Sequence, residues 1–408
     1  MSSRVLVTDG EHRAALAVVR SLGRAGHTVH VSASRTGAIA AASRYCRDFA
    51  RIPDPLTAGP ACVEELRRLC RQWQIDVLLP ITEASIIALR PQSESLSGVL
   101  VPFPSYEAFC AISDKANLMR IAPGFGLAVP QQIELSAAAD HREIDEKQLH
   151  FPLVIKPSRS VAGIDGGRMS FQVAYANDTA ELHTQLDQLP ESAYPVLLQQ
   201  RVIGRGMGIM VLLWDDAPKA VFAHRRLREK PPSGGVSVYS ESIAADPALV
   251  ARVIELLREH RWAGVAMAEF KVETSTEIPW LMEINGRFWG SLQLAIDAGV
   301  DFPRLLVELA TENSGVSAAQ AKSNSMTCDG HGYRAGTRLR WWWGDVDQLL
   351  IRLLKRRADL HLPESFPGRV RALREFSHAW RRADRSEVLR WSDPVPGLIE
   401  TYNWLRRR

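Results

Sequence analysis

Two neighbouring apolar segments in the middle of the chain carry carboxylate and amide side chains: GVAMAEFKV (264–272) and WLMEINGRFWG (280–290). Side chains alternate between the two faces of a strand, so Glu283 and Asn285 share a face and Arg287 lies nearby. A short hairpin between the segments would bring Glu269 beside Glu283. Carboxylate and amide oxygens that converge on one face suit Mg²⁺, which also binds nucleotide phosphates. The alternative is a surface hairpin with an ordinary Glu–Arg salt bridge, and it is disfavoured because carboxylates beside an apolar strand are costly to bury without a partner.

A lysine at the end of an apolar strand precedes a segment rich in glycine, SRSVAGIDGGRMS (158–170). Lys156 would place a point charge beside phosphate oxygens. The backbone amides of such a loop can approach and surround a phosphate, and the candidate contacts are Ser158, Gly163, Gly166 and Gly167. The alternative is a flexible hairpin loop with a solvated lysine. The segment is not a Walker loop, because it lacks Gly-Lys-Ser/Thr.

A third candidate is a bend between two strand patterns in LLQQRVIGRGMGIMV (197–211). This bend could form a hinge between two lobes, and its backbone would then contact the edge of an adenine base. The candidate contacts are Gln199, Gln200, Arg201 and Val202. A plain connection between two strands is the alternative.

The elements that must position these residues begin with an alternation of strand and helix patterns over the first hundred residues. Strands separated by helices predict βαβ units and a parallel sheet. The first strand-to-helix turn, TDGEHRAA, lacks G-x-G-x-x-G, so a dinucleotide site there is not expected. Further strand patterns follow up to about residue 284 and helical patterns up to about residue 311, a mixture expected of an α+β region.

Together these motifs resemble the ATP-grasp superfamily over roughly residues 1 to 310, in the order Asp114-Lys115, Lys156-Pro157 with its glycine loop, the hinge, Glu269 and Glu283-x-Asn285-x-Arg287. The segment MEINGRFWGSLQLAIDAGVDFP is similar to the carbamoyl-phosphate-synthase-like, carboxylate–amine ligase branch. The resemblance implies that Lys115 and Lys156 contact the phosphates of ATP. It implies that Glu269, Glu283 and Asn285 hold Mg²⁺ (or Mn²⁺), and that Arg287 steadies the transferred phosphoryl group or the acyl phosphate. Gln200 stands where many relatives carry a glutamate.

The resemblance implies an ATP-dependent ligase that activates a carboxylate as an acyl phosphate and joins it to an amine. Its partners would be a small carboxylate and an amine, and a homodimer is compatible with the sequence. One alternative is a carboxylase or carbamoyl-phosphate type of enzyme that uses bicarbonate. Another is a nucleotide-binding regulatory protein that associates with a membrane and lacks turnover.

The substrate contacts are predicted at the end of a long strand pattern, where Arg225 and Arg226 precede a Ser-Gly-Gly turn. An arginine fork matches a carboxylate bidentately, and the sequence leaves open which of the two arginines binds it. The alternative is a solvated basic edge. Asp9 and Glu83 follow apolar strands at positions where α/β sheets bind ligands, but they would serve equally well as helix caps.

The bulk composition is that of a soluble globular protein, with 46% hydrophobic and 24% charged residues. A net charge of +4 is too small to predict nucleic-acid binding. The five scattered cysteines favour a reducing compartment, and no apolar run is long enough for a transmembrane helix. The expected location is the cytoplasm, with the inner membrane face as an alternative.

The tail from His331 onward is basic and carries six of the eleven tryptophans. Trp341-Trp342-Trp343, followed by an apolar helical pattern and Lys355-Arg356-Arg357, would suit peripheral contact with a membrane. The alternative is a helical cap that packs its tryptophans on the core. The predicted domains are an N-terminal α/β domain (1–112), a first ATP-grasp lobe (113–198), a second lobe with the metal site (199–312), and a linker with a basic helical extension (313–408).

Overall fold

The structure is a computed structural model. It describes residues 2–407 except 92–95, 97, 139, 141–143, 145–148, 160, 165, 166, 172, 313–331, 364, 365, 382 and 383. The predicted linker after residue 312 therefore lies almost wholly outside the described residues, and so does the predicted phosphate contact Gly166.

The N-terminal part is a parallel sheet with helices on both faces. Its elements are β1 (Arg4–Val7), α1 (Arg13–Arg24), β2 (Thr28–Ala33), β3 (Cys46–Arg51), α2 (Gly59–Trp73), β4 (Val77–Leu79) and α3 (Glu83–Leu89). The strand order is β3-β2-β1-β4, and all three pairings are parallel. Helices cover both faces of such a sheet, so β4 is apolar and buried at every position.

The second part is an antiparallel sheet with three helices. Its elements are α4 (Tyr106–Ser113), α5 (Lys115–Ile121), β5 (Gln132–Leu135), β6 (Leu153–Pro157), β7 (Val161–Ile164), β8 (Gly167–Ser170), β9 (Ala174–Ala176), α6 (Thr179–Asp187) and β10 (Val196–Gln200). The strand order is β5-β10-β6-β9, and β7 pairs with β8 as a separate hairpin. Asp114 starts α5 by accepting a hydrogen bond from the backbone N–H of Asn117.

The third part is a larger sheet that the end of the chain completes. Its elements are β11 (Gly204–Trp214), β12 (Ala217–Lys230), β13 (Val236–Ile243), α7 (Pro247–Glu259), β14 (Gly264–Glu273), β15 (Pro279–Asn285), α8 (Leu292–Ala298), α9 (Phe302–Glu312), β16 (Arg338–Arg340), α10 (Trp342–Leu354), α11 (Arg369–Arg381), β17 (Arg385–Ser386) and α12 (Val395–Arg406). The strand order is β15-β14-β11-β12-β13-β16-β17.

The tail packs on the core through both its tryptophans and its charges. Trp341 packs against the buried core, where the guanidinium carbon of Arg13, on α1, lies 3.9 Å from the centre of its ring. Within the tail, Trp343 stacks on Trp404. The buried guanidinium of Arg20, on α1, donates to both the side chain and the backbone of Asp393. These contacts favour the helical-cap alternative. Among the described residues, no helix is long and apolar enough to cross a bilayer.

The predicted fold class is confirmed: a parallel-sheet α/β part precedes two α+β lobes, and a largely helical basic segment ends the chain. The exact domain boundaries given above stay a prediction. The chain passes from the second sheet to the third between Gln200 and Gly204, where the hinge was predicted.

Candidate functional site

The predicted residues converge on one large cleft. The cleft has a volume of about 1220 Å³ and is bounded by all three sheets and by the last turn of α12. Most of the candidates line it: Lys115, Lys156, Gln199, Gln200, Arg201, Val202, Arg226, Glu269, Glu283, Asn285 and Arg287. The remaining candidates lie elsewhere or outside the described residues.

The carboxylates meet because β14 and β15 are antiparallel and pair Glu269 directly with Glu283. The side-chain N–H₂ of Asn285 lies 3.2 Å from Glu269 Oε1 and 3.0 Å from Glu283 Oε1. Its carbonyl oxygen accepts a hydrogen bond of 2.9 Å from Arg287. Two carboxylates and one amide therefore converge at one point of the cleft wall, as the alternation of side chains on the strands predicted.

The positive charges come from two other elements. Lys115 stands at the start of α5, and its Nζ lies 3.3 Å from Glu283 Oε2. Lys156 stands near the end of β6, and its Nζ donates to Gln199 Oε1 at 2.7 Å. Burial lowers the pKa of Lys156 to about 8; the charge of Glu283 opposes this shift, while that of Lys115 adds to it.

These charges set the ionisation of the carboxylate pair. Burial raises the pKa of Glu283, but the charge of Lys115, the hydrogen bond from Asn285 and the charge of Lys156 outweigh it and bring the pKa to about 2. Glu283 is therefore ionised at neutral pH. Burial also raises the pKa of Glu269; the Arg226 guanidinium opposes this shift and the Glu283 carboxylate adds to it.

The two candidate arginines of β12 point to opposite faces of the sheet. Arg226 faces the cleft, where it bonds Glu269 Oε2 at 2.6 Å and both Glu229 and the backbone carbonyl of Gly235 at 3.1 Å. Arg225 pairs with Glu241 outside the cleft. The structure therefore leaves Arg226, and not Arg225, in position to contact a substrate. The sequence could not separate them, because neighbouring residues on a strand differ only in the face they occupy.

Ser158 lies at the end of β6, and the glycine candidates lie on the β7–β8 hairpin or outside the described residues. Ser158 is fully buried and bonds the Asp114 side chain and the backbone of α5, so it ties β6 to that helix. Gly163 and Gly167 belong to the β7–β8 hairpin, whose Val161 lines the cleft. Their predicted contact with phosphate stays a prediction.

The hinge residues lie at the inner end of the cleft. Gln199 is buried, and its side chain connects Lys156 to Gln132. Gln200 is exposed and continues the strand pairing. The Arg201 guanidinium carbon lies 5.0 Å from the centre of the Tyr175 ring, which also lines the cleft. Val154, Val202 and Met282 also line the cleft, and apolar side chains with a few polar groups are the kind of surface that binds a flat heterocycle.

Comparison with known proteins adds a family and a fold. Residues 195–329 match the family model described as ATP-grasp in the biosynthetic pathway with Ter operon. This stretch includes β14, β15 and the carboxylate pair. No curated protein matches the sequence.

Several solved structures share the fold. An L-amino acid ligase from Bacillus licheniformis is 17% identical, with a TM-score of 0.57, over 76% of this chain and 74% of that one. An N5-carboxyaminoimidazole synthetase from Staphylococcus aureus, complexed with ADP, is 14% identical, with a TM-score of 0.57, over 76% and 77%. A biotin carboxylase from Campylobacter jejuni is 13% identical, with a TM-score of 0.60, over 83% and 74%.

This chain has the ATP-grasp fold. The resemblance drawn from the motifs is thereby confirmed at the level of the fold and of the family model. Identities this low carry the architecture alone, so the activity of the chain has to be argued from its own residues.

The carboxylates of this ATP-grasp chain fit a divalent cation. Glu269 and Glu283 offer carboxylate oxygens at one point, and the Asn285 amide would add its oxygen after turning it from Arg287 toward the carboxylates; this is the donor set that Mg²⁺ takes from proteins. Within the described residues, no group of three or more His, Cys, Asp or Glu side chains could hold a metal ion. An ion here would therefore need the amide of Asn285, together with water or phosphate oxygens, to complete its coordination.

Two charged residues beside Arg226 in the cleft were missed by the sequence analysis, Glu229 and Lys271, whereas Glu83 was named there and also lines the cleft. Lys271 follows Glu269 by two residues on β14, so the same alternation that placed Glu283 could have found it. Its Nζ lies 3.5 Å from Glu229. Burial raises the pKa of Glu83, while Lys115 and Arg287 oppose the shift.

Two buried polar residues of the cleft wall, Asp9 and His224, have partners within the protein. The buried Asp9 side chain accepts hydrogen bonds from the backbone N–H groups of Ile81 and Thr82 and from the Ser85 hydroxyl, so it organises the turn into α3. His224 is buried and shares a hydrogen bond of 3.2 Å with Ser291. Burial and the Arg226 charge lower the pKa of His224 to about 3, which keeps it neutral.

Proposed function

We propose that this chain is an ATP-dependent ligase that activates a carboxylate as an acyl phosphate and joins it to an amine, releasing ADP and phosphate. One observation carries the proposal. The carboxylate pair Glu269/Glu283, the cations Lys115 and Lys156, and the Arg287 guanidinium meet in one cleft of an ATP-grasp fold. Cationic side chains beside a carboxylate pair that can hold a metal ion suit the binding of the phosphate groups of a nucleotide.

ATP would bind between the second and third sheets. The base would lie against the hinge Gln199–Val202, and the phosphates would extend toward Lys156 and Lys115. Glu269, Glu283 and Asn285 would hold Mg²⁺, which when bound neutralises charge on the β- and γ-phosphates. The β7–β8 hairpin stands beside the cleft through Val161 and would cover the phosphates.

The positions of these charged residues support a reaction in two steps. A substrate carboxylate oxygen attacks the γ-phosphorus, the bond from this phosphorus to the β-phosphate oxygen breaks, and ADP leaves. The amine nitrogen then attacks the acyl carbon, phosphate departs and the nitrogen loses a proton. Arg287 and Arg226 would stabilise the negative charge of the acyl phosphate and of the transition states on either side of it. Bicarbonate is the alternative carboxylate.

The nucleotide product tests the proposal. We expect ADP and inorganic phosphate, formed only when a carboxylate is present or accelerated by it. Chromatography of reactions with ATP, Mg²⁺ and pooled carboxylates or bicarbonate, with and without pooled amines, measures this. Mass spectrometry of the same reactions identifies the joined product. Stoichiometric AMP and pyrophosphate would contradict the acyl-phosphate route. These are the products of an adenylating enzyme, in which the carboxylate attacks the α-phosphorus.

We also place the protein in the cytoplasm. Cys46, Cys62, Cys70 and Cys110 are free thiols, and burial raises the pKa of the first three to about 12. Buried protonated thiols are stable in a reducing compartment. Fractionation of cells that produce the protein checks this location.

A further inference from the structure

One end of the cleft lies beyond the residues assigned to ATP. Its wall is formed by Glu11, by the loop of residues 34–37 and by the last turn of α12, where Asn403, Arg406 and Arg407 line the cleft. The parts of this wall are in contact with one another. The Ser34 hydroxyl donates to Glu11 Oε1 at 2.6 Å, and the Asn403 side chain donates to the backbone carbonyl of Gly37 at 2.9 Å.

The inner side of this wall presents an incompletely bonded carboxylate. Glu11 Oε2 is buried and has no hydrogen-bond partner among the described residues. Its sequence neighbour Arg13 does not supply one, because Arg13 pairs with Glu387 and lies over the Trp341 ring. A buried carboxylate oxygen without a donor is costly, so this position suits an amine or ammonium group of a ligand.

The outer side of the same wall presents positive charge. Arg35, Arg406 and Arg407 line the cleft and are exposed, and none of them forms an ion pair with a residue that the structure describes. The Arg406 guanidinium carbon lies 5.5 Å from the centre of the Tyr402 ring, which orients it on the helix. Arginines at the end of a helix also offset its dipole, but Arg35 belongs to a loop and faces the same end of the cleft.

We propose that this end of the cleft binds the acceptor amine, and that the acceptor also carries an anionic group, a carboxylate or a phosphate. The nitrogen lies toward Glu11, and the anionic group lies against Arg35, Arg406 and Arg407. The inference rests on the proposed function, since it names the second substrate of that reaction. It gives the end of the chain a part in substrate recognition that residues 195–329 alone cannot supply.

Binding of three small amines tests this inference without turnover. Butylamine has only the nitrogen, 4-aminobutyrate adds a carboxylate, and 3-aminopropyl phosphate adds a phosphate. Ligand-observed NMR with the full chain and MgADP should give the anionic amines at least about tenfold higher affinity than butylamine, because charge-assisted hydrogen bonds are strong. Whichever anionic amine binds more tightly identifies the group. Equal affinity for all three, or no binding of either anionic amine, would overturn the proposal.

Substitutions test which side chains cause the preference for anionic amines. The double substitution Arg406→Gln and Arg407→Gln should remove the preference for the anionic amines and leave the affinity for MgADP within about twofold. The same pair changed to lysine keeps the charge, so it should retain most of the preference. Arg374→Gln, on the exposed surface of α11, is the matched control and should behave as wild type. A preference that survives the double glutamine substitution would contradict the assignment of these arginines.

A separate substitution tests the carboxylate of Glu11. Glu11→Gln should weaken butylamine and both anionic amines by a similar factor of about ten, because it removes the charge that faces the nitrogen. The ADP assay separates the two proposals. If no carboxylate promotes ADP formation, the ligase proposal fails, and the NMR preference still decides whether the cleft binds an anionic amine. If ADP forms but the preference is absent, only the acceptor inference fails.

Discussion

Two groups of buried charges differ in how their charges are arranged. The extension cluster is Asp345 with Arg228 and Arg340; Asp345 is fully buried, and both arginines bond its carboxylate, with distances of 2.5 and 2.6 Å to Arg228. The cleft cluster is Glu269, Glu283, Lys115 and Lys156; Lys115 pairs with Glu283 at 3.3 Å, but Glu269 also adjoins Glu283, and the charge of Lys115 acts on Lys156. Opposite charges that satisfy each other stabilise a fold, whereas adjoining like charges mark a place that a ligand completes.

The strongest test of this contrast is Glu283→Gln, which keeps the shape of the side chain and removes its charge. ADP formation should fall at least about a thousandfold, because a metal ligand and its neutralising charge are lost. The melting temperature should fall less than in Asp345→Asn, because the relief of repulsion with Glu269 partly offsets the loss of the charge that pairs with Lys115. Coupled assays for ADP and a thermal melt measure both quantities. Glu277→Gln, on the exposed turn between the same strands, serves as the control and should keep full activity.

Asp345→Asn should lower stability and leave turnover nearly unchanged, which is the reverse of the effect expected for Glu283→Gln. It leaves two buried guanidinium groups without their carboxylate, so the free energy of unfolding should fall by about 3 kcal/mol. The turnover of the molecules that remain folded should stay within about twofold of wild type. Urea unfolding and active-site titration measure the two effects. A stable variant without turnover would show that the extension cluster belongs to the chemistry, and the contrast would be lost.

Arg287→Ala is expected to have an effect of intermediate size on the cleft cluster. Its guanidinium bonds Asn285 and the backbone of Phe288 and lines the cleft. Turnover should fall about a hundredfold while the KM for ATP changes less than about threefold, because the charge is needed most as the acyl phosphate forms. Steady-state kinetics with varied ATP separates the two constants. A large rise in the KM for ATP with unchanged turnover would assign Arg287 to nucleotide binding.

Glu400→Gln should have the smallest effect, and its effect should depend on pH. Burial raises the pKa of Glu400 to about 7 in the folded chain, although the Trp341 hydrogen bond and Arg13 oppose the shift. Because the folded state holds this proton more tightly than the unfolded state, wild-type stability is lost as pH rises from about 4.5 to about 7. The variant does not titrate, so it should match wild type near pH 4.5 and exceed it by about 1–2 kcal/mol at pH 8. A difference that is constant across this range in thermal melts would contradict the titration.

Sequence patterns predicted the carboxylate pair of the cleft cluster because its members obey local rules, whereas Lys115 was predicted only through the family resemblance. Glu283 and Asn285 are two residues apart on a strand, and an antiparallel hairpin of ordinary length brings Glu269 opposite Glu283. Lys271 obeys the same rule of alternation, so the sequence could also have predicted its position. The sequence could not decide between Arg225 and Arg226. That choice depends on the orientation of β12 within its sheet, where the register shifts after Arg226.

The rest depends on contacts between distant parts of the chain. Ser158 appeared to belong to a phosphate loop, but the position of α5 turns it inward to Asp114. The tryptophans at residues 341 and 343 could equally have faced a membrane or the core, and the sequence alone could not say that Glu400 and Thr401 would bond their indole N–H groups. The wall near Glu11 combines residues from both ends of the chain, so no local pattern predicts it.

The burial of Arg20 has a consequence for how the chain reaches its native state. Its side chain is enclosed by residues 387–393, which lie 367 to 373 positions away in the sequence. Until that segment arrives, the guanidinium on α1 has only water as a partner, and the surrounding apolar face stays open. Closing so long a loop is entropically costly and slow. Folding of α1 is therefore coupled to a segment that is synthesised 367 to 373 residues later. In the interval its apolar surface is exposed, and a chaperone can bind there.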